Sequence, residues 1–148
     1  MKKLFAAILF VSLSVGAFAQ GNKGVEFEQA TLKELLAKSG TENKPVFIDI
    51  YAVWCPPCKY MSESVFPRSD MGEFFNANFI NAKFDAERGE GIEVARKYSV
   101  MAYPTFLILD STGKELGRVV GAKDSADFIQ TVKNIIGKSD MIVSRKAR

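Results

Sequence analysis

Apolar positions in this chain fall into short dense runs separated by polar stretches bearing glycine or proline. Val46-Phe47-Ile48-Asp49-Ile50-Tyr51-Ala52 is apolar or aromatic everywhere except Asp49, the pattern of a strand buried on both faces in a parallel or mixed sheet. Phe79 to Asp85 predicts a second strand. Thr105 to Leu109 and Glu115 to Val120 flank Asp110-Ser111-Thr112-Gly113, a hairpin signal. Between these runs the spacing becomes helical. Thr31-Leu32-Lys33-Glu34 has capping-box spacing and opens a helix expected to reach about Lys38, with Gly40 to Pro45 as loop. A further helix is expected from residue 55 to about Val65, ended by Pro67, and Ser69 is expected to cap another through Phe75. Gly89 to Tyr98 predicts a helix. Ser125 is expected to cap the last one, which places Phe128, Ile129, Val132, Ile135 and Ile136 on one face. Val25 to Glu28 alternates and predicts a short edge strand. Mixed strands and helices ending in a hairpin plus a helix indicate an α/β sandwich, a central sheet with helices on both faces.

The first 19 residues stand apart from this pattern. Lys2 and Lys3 precede the apolar stretch Leu4 to Val15, and Ala17-Phe18-Ala19 has small residues where a signal peptidase requires them. A spanning helix wants roughly 20 apolar residues, and this stretch is shorter and holds Ser12 and Ser14. A signal peptide over 1–19 is therefore expected, with 20–24 a linker, 25–138 one folded domain and 139–148 a tail. No cysteine lies near the cleavage point, which argues against a lipoprotein anchor. Cleavage leaves 129 of the 148 residues and 18 basic against 17 acidic side chains, a net charge of +1. That length suits one domain with one core. That charge offers no basic field for nucleic acid, and Arg145-Lys146-Arg148 is expected to be a solvated tail.

The chemistry concentrates in Trp54-Cys55-Pro56-Pro57-Cys58-Lys59, which holds the only two cysteines. A disulfide across so small a loop removes little unfolded-chain entropy, so a structural staple is the weaker reading. With no histidine in the chain, Ser/His/Asp and Cys/His catalysis are excluded, and so is Cys-x-x-Cys-His haem attachment. Zinc would have only carboxylates to complete two thiolates, and no metal is expected. What remains is thiol–disulfide exchange, best placed where a helix N-terminus stabilises the attacking thiolate. Cys55 is the expected nucleophile, and Cys58, one turn further in and more buried, the resolving thiol. Pro56 and Pro57 have no N–H, so a Cys55 thiolate would rely on the amides of Cys58 and Lys59 and on the helix dipole.

From Val46 to Ile136 the chain resembles the thioredoxin family. Phe47 to Lys59 is similar to its central strand and active-site turn, Ala102-Tyr103-Pro104-Thr105-Phe106 to its cis-proline segment, and Gly121 to the glycine after its last strand. Tyr51 to Phe66 is similar to exported thioredoxin-like reductases, such as the C-terminal domain of the transmembrane reductant conductor DsbD. The resemblance implies a thioredoxin-like fold and a protein-disulfide reductase outside the cytoplasm. It makes Asp49 a proton relay for Cys58, with Lys83 beside it. It puts a cis bond before Pro104, so that the Tyr103 backbone pairs with an extended substrate. Trp54, Pro56, Pro57, Tyr103 and Pro104 form the substrate-binding rim. Tyr51, Tyr60 and Phe106 are assigned to packing. The moderate thiolate stabilisation suggests a Cys55 pKa nearer the about 7 of thioredoxin than the about 3.5 of DsbA. No bound cofactor is expected, because electrons travel on the cysteines. The partners expected are disulfide-bearing proteins and a membrane reductant conductor, with the chain itself a monomer. Net oxidation or isomerisation, and a redox-inactive binding module, are the competing functions.

Overall fold

The computed structural model describes residues 23–146, with side chains to residue 138. The expected leader and most of the linker lie outside the described residues. Four strands form one sheet in the order β2-β1-β3-β4. Strand β1 (Val46–Tyr51) runs parallel to β2 (Ile80–Asp85) and antiparallel to β3 (Thr105–Leu109), and β3 pairs antiparallel with β4 (Glu115–Val120). The expected mixed sheet is therefore present.

Alternation along β1 sorts the core into two layers. Val46, Ile48 and Ile50 join α1 (Leu32–Glu42) and α4 (Glu90–Lys97) through Leu32, Leu35, Val94 and Ala95. Phe47 points the other way, into a layer with Met61, Val65, Phe66, Phe106 and residues of α3 (Ser69–Asn78) and α5 (Ser125–Lys146). This second layer is largely aromatic. The Phe47 ring lies 4.5 Å from Phe75 and stacks on Phe106 at 5.9 Å, and Phe128 meets Phe106 edge-on at 4.7 Å. Asp49 occupies the same face of β1 as Phe47, so a carboxylate sits where the pattern calls for a hydrophobe.

Several element boundaries differ from the sequence expectation. The capping box at Thr31 forms, with Glu34 N donating to Thr31 Oγ1 at 3.3 Å and Thr31 N to Glu34 Oε2 at 2.8 Å. Helix α1 then passes through Gly40 and stops only where Asn43 adopts a left-handed φ of 53°. The helix expected over 55–65 is α2 (Pro56–Tyr60) running into a π turn, Met61–Val65, in which Phe66 N reaches back to Met61 O at 2.8 Å. Ser69 does not cap α3. Arg68 holds the cap position without a side-chain bond, and Asp70 Oδ1 takes the Met71 N–H at 3.0 Å. Ser125 likewise lies inside α5, because Asp124 Oδ1 accepts from Asp127 N at 3.0 Å. The α5 backbone continues to Lys146, through most of the expected tail. Val25 to Glu28 contributes one parallel bridge, Glu28 to Ala82, in place of a strand.

Candidate active site

The end of β1 delivers the chain into a sharp turn at Val53-Trp54, and Cys55 becomes the N-cap of α2. Its N–H donates to Ala52 O at 3.2 Å, closing the turn. Cys55 and Cys58 are joined as a disulfide with their Cα atoms 5.3 Å apart. Cys58 N lies 3.2 Å from Cys55 Sγ, but the Lys59 N–H goes to Cys55 O at 3.1 Å. Lys59 therefore does not serve the sulfur as expected. With Pro56 and Pro57 in the first two helical positions, one backbone donor faces Cys55 Sγ.

The two cysteine residues do not differ in burial as expected: Cys55 and Cys58 are each 4% exposed. Ala52 is buried with them, and Tyr51 and Tyr103 pack against this cluster. Tyr103 precedes Pro104 through a cis peptide bond. Pro56 and Pro57 are exposed, Tyr103 is half-buried and Pro104 is buried. Trp54 stands 64% exposed. Its indole N–H is shared by both oxygens of Glu87, at 2.9 and 3.0 Å, and its ring meets Tyr103 edge-on at 6.2 Å. Glu87, on the loop after β2, thus fixes the most prominent side chain of the rim.

Beneath the helix a buried carboxylate meets a partly buried lysine. Asp49 is 1% exposed, and Lys83, its register partner on β2, places Nζ 3.2 Å from Asp49 Oδ2. Asp49 Oδ1 is buried without a hydrogen-bond partner. Burial pushes the Asp49 carboxyl up to about 6, against the opposing pull of Lys83. Lys83 Nζ also donates to Ser62 Oγ at 2.6 Å and sits over the rings of Phe27, Tyr51 and Phe66 at 5.1, 5.1 and 5.6 Å. Ser62 belongs to the π turn, four residues after Cys58, so the pair lies under the helix that carries the cysteines.

Every residue the sequence nominated is in this region, Tyr51 packs there as assigned, and two residues the sequence passed over, Ser62 and Glu87, are there too. Ser62 bonds Lys83, and Glu87 bonds Trp54. Only Ser62 had a sequence signal, its helical spacing from Cys58. Among the described residues no cluster of three His, Cys, Asp or Glu side chains is placed to hold a metal.

A closed Cys-x-x-Cys ring at a helix start, beside the tyrosine of a cis Tyr103–Pro104 bond, defines a thiol–disulfide exchange centre. The thioredoxin-like domain family matches residues 32–136, and the chain belongs to it. It is 32% identical over 143 residues to the thiol:disulfide interchange protein DsbD of Yersinia pestis, covering 88% of this chain and 24% of that protein. The chain thus spans about a quarter of the length of that relative. A disulphide-isomerase candidate from Bacteroides thetaiotaomicron superposes with a TM-score of 0.69 at 39% identity, over 77% of this chain and 94% of that one. The oxidised C-terminal domain of Neisseria meningitidis DsbD shares the fold, with a TM-score of 0.59 at 22% identity over 74% of this chain and 97% of that one. Family and site together give this chain a thioredoxin-like domain with a Cys55–Cys58 disulfide at the start of α2.

Proposed function

We propose that the protein reduces disulfides of other proteins outside the cytoplasm, cycling between the Cys55–Cys58 disulfide and its dithiol. The observation that carries the reducing direction is the single backbone donor on Cys55 Sγ. A hydrogen bond to a charged group is worth about 1.5–3 kcal/mol. On the scale where ~30 mV equals about 1.4 kcal/mol, each missing donor moves the couple by roughly 30–60 mV. A less stabilised thiolate makes the dithiol less favoured and the protein a stronger reductant.

In this reading the Cys55 thiolate attacks one sulfur of the substrate disulfide, and the other substrate sulfur leaves as a thiolate. Cys58 gives its proton to Asp49 and attacks Cys55 Sγ. The Cys55–Cys58 bond forms, the mixed disulfide breaks, and the second substrate sulfur leaves. Two electrons pass to the substrate, which ends with two thiols after taking up two protons. Asp49 suits the relay because one carboxylate oxygen is buried and free to take a proton. Lys83 moderates its basicity. The substrate lies extended against the Tyr103 backbone, bounded by Trp54, Pro56, Pro57 and Pro104. The export pattern of residues 1–19 supports the location, and likeness to DsbD supports a membrane conductor as the donor of fresh electrons.

The test is reduction of insulin by the dithiol form, followed by precipitation of the freed chains. Wild type should accelerate it and Cys55→Ser should not. A redox titration should place the couple near the about −270 mV of thioredoxin. A value near the about −120 mV of DsbA would overturn the reducing direction.

A further inference from the structure

We propose that Ser62 is a positioning residue of the exchange centre, its hydroxyl oxygen anchoring the Lys83 ammonium against Asp49 while Cys58 gives up its proton. The inference rests on the relay reading of Asp49. Lysine is a flexible four-carbon stem ending in a compact charge, and its place is set by what holds the tip. Here the tip has two polar partners, Asp49 Oδ2 at 3.2 Å and Ser62 Oγ at 2.6 Å, inside a collar of Phe27, Tyr51 and Phe66 rings. Beside it lies a cavity of about 430 Å³, lined by Lys83 and Ser62 together with Lys23, Glu26, Phe27 and Phe66. That space gives the ammonium somewhere else to go. Ser62 is what opposes the move, and it sits on the π turn that continues the cysteine helix. The same serine ties β2 to that helix.

The charges around the pair are few. From β1, the Tyr51 phenol faces Lys83, its acidity weakened by burial, by Asp85 and by Asp49, with Arg88 opposing. From α2 come the two cysteines, uncharged while bonded. Lys59 and Glu63 pair with each other at 3.8 Å on the exposed side of the helix, and Lys23 and Glu26 pair at 3.6 Å at the cavity wall. None of these can replace Ser62 as an acceptor for Lys83 without moving.

Removing the hydroxyl should let Lys83 swing into the cavity, and Asp49 should then keep its proton to higher pH. In the oxidised protein, carbon NMR of the Asp49 carboxyl in Ser62→Ala should show a titration midpoint raised by about half a unit, roughly threefold in proton affinity. Ser62→Thr, which restores the oxygen, should return it to the wild-type value. A midpoint unmoved in Ser62→Ala, or equally displaced in Ser62→Thr, overturns the inference. The pH profile of insulin reduction by Asp49→Asn judges the relay separately. A profile identical to wild type overturns the relay and with it the part of Ser62 in exchange. A changed profile beside an unmoved Ser62→Ala midpoint overturns the Ser62 inference alone.

Discussion

Asp49 works against the stability of its own fold, and the pH dependence of that cost can be stated. Its carboxyl is raised from 3.8 to about 6 by burial. The folded protein therefore holds this proton over a range where the unfolded chain has lost it, and stability falls as pH rises. The favourable contribution is complete below pH about 4 and gone above about 6. A shift of two units corresponds to about 3 kcal/mol. Asp49→Asn carries no such titration, and effects common to both proteins cancel in the comparison. Between pH 4 and pH 8, oxidised wild type should lose about 2–3 kcal/mol relative to Asp49→Asn in guanidinium unfolding. A difference that stays constant with pH would mean that Asp49 titrates normally. The sequence showed this much: a lone charge in an apolar strand. It did not show the rings over the Lys83 ammonium, because they come from the N-terminal segment, β1 and the residue ending the π turn. No local pattern joins them.

At the scale of elements, what the sequence revealed follows from periodicity. Strands β1 and β3 were plain because both faces are buried and their runs are continuous. Helix ends were less plain, since Gly40 and Ser125 are plausible stops and caps that the chain passes over in favour of Asn43 and Asp124. The π turn was invisible, because the same residues would fit an α-helix. Gly91 gives a sharper example of contact overruling propensity. In an open helix, alanine is favoured over glycine by about 1 kcal/mol. At position 91, near the start of α4, an added Cβ would fall 1.9 Å from Asp85 O and 2.6 Å from Asp85 C, backbone atoms at the end of β2. Gly91→Ala should therefore destabilise the protein, by about 1–3 kcal/mol in denaturant unfolding. A neutral or stabilising result would show that α4 can move off the sheet freely. The consequence would reach the site rim, since the loop between β2 and α4 carries Glu87, which holds Trp54.

Across the whole molecule, one sheet separates two cores of different character. The side toward α1 and α4 is mainly aliphatic, whereas the side toward α3 and α5 is rich in phenylalanines. The two-sided burial was readable from the sequence. The division of labour was not, because the aromatic side assembles from residues as distant as Phe47 and Phe128. Asp49 lies on the aromatic face and Tyr103 packs on the aliphatic one, so the two faces can be tested for independence. Phe128 and Leu35 are both fully buried, one in each layer. Layers pack about 10 Å from a sheet, which puts the two side chains well beyond direct contact. Phe128→Leu and Leu35→Val should each cost about 1–2 kcal/mol. The double variant should equal their sum within about 0.5 kcal/mol, as sites without shared partners do. The pH-dependent stability difference assigned to Asp49 should be altered by Phe128→Leu if by either, because Leu35 lies across the sheet from that carboxyl. Marked non-additivity in unfolding would mean that β1 and β3 transmit strain between the layers, and the active-site face could then no longer be treated as packed on its own.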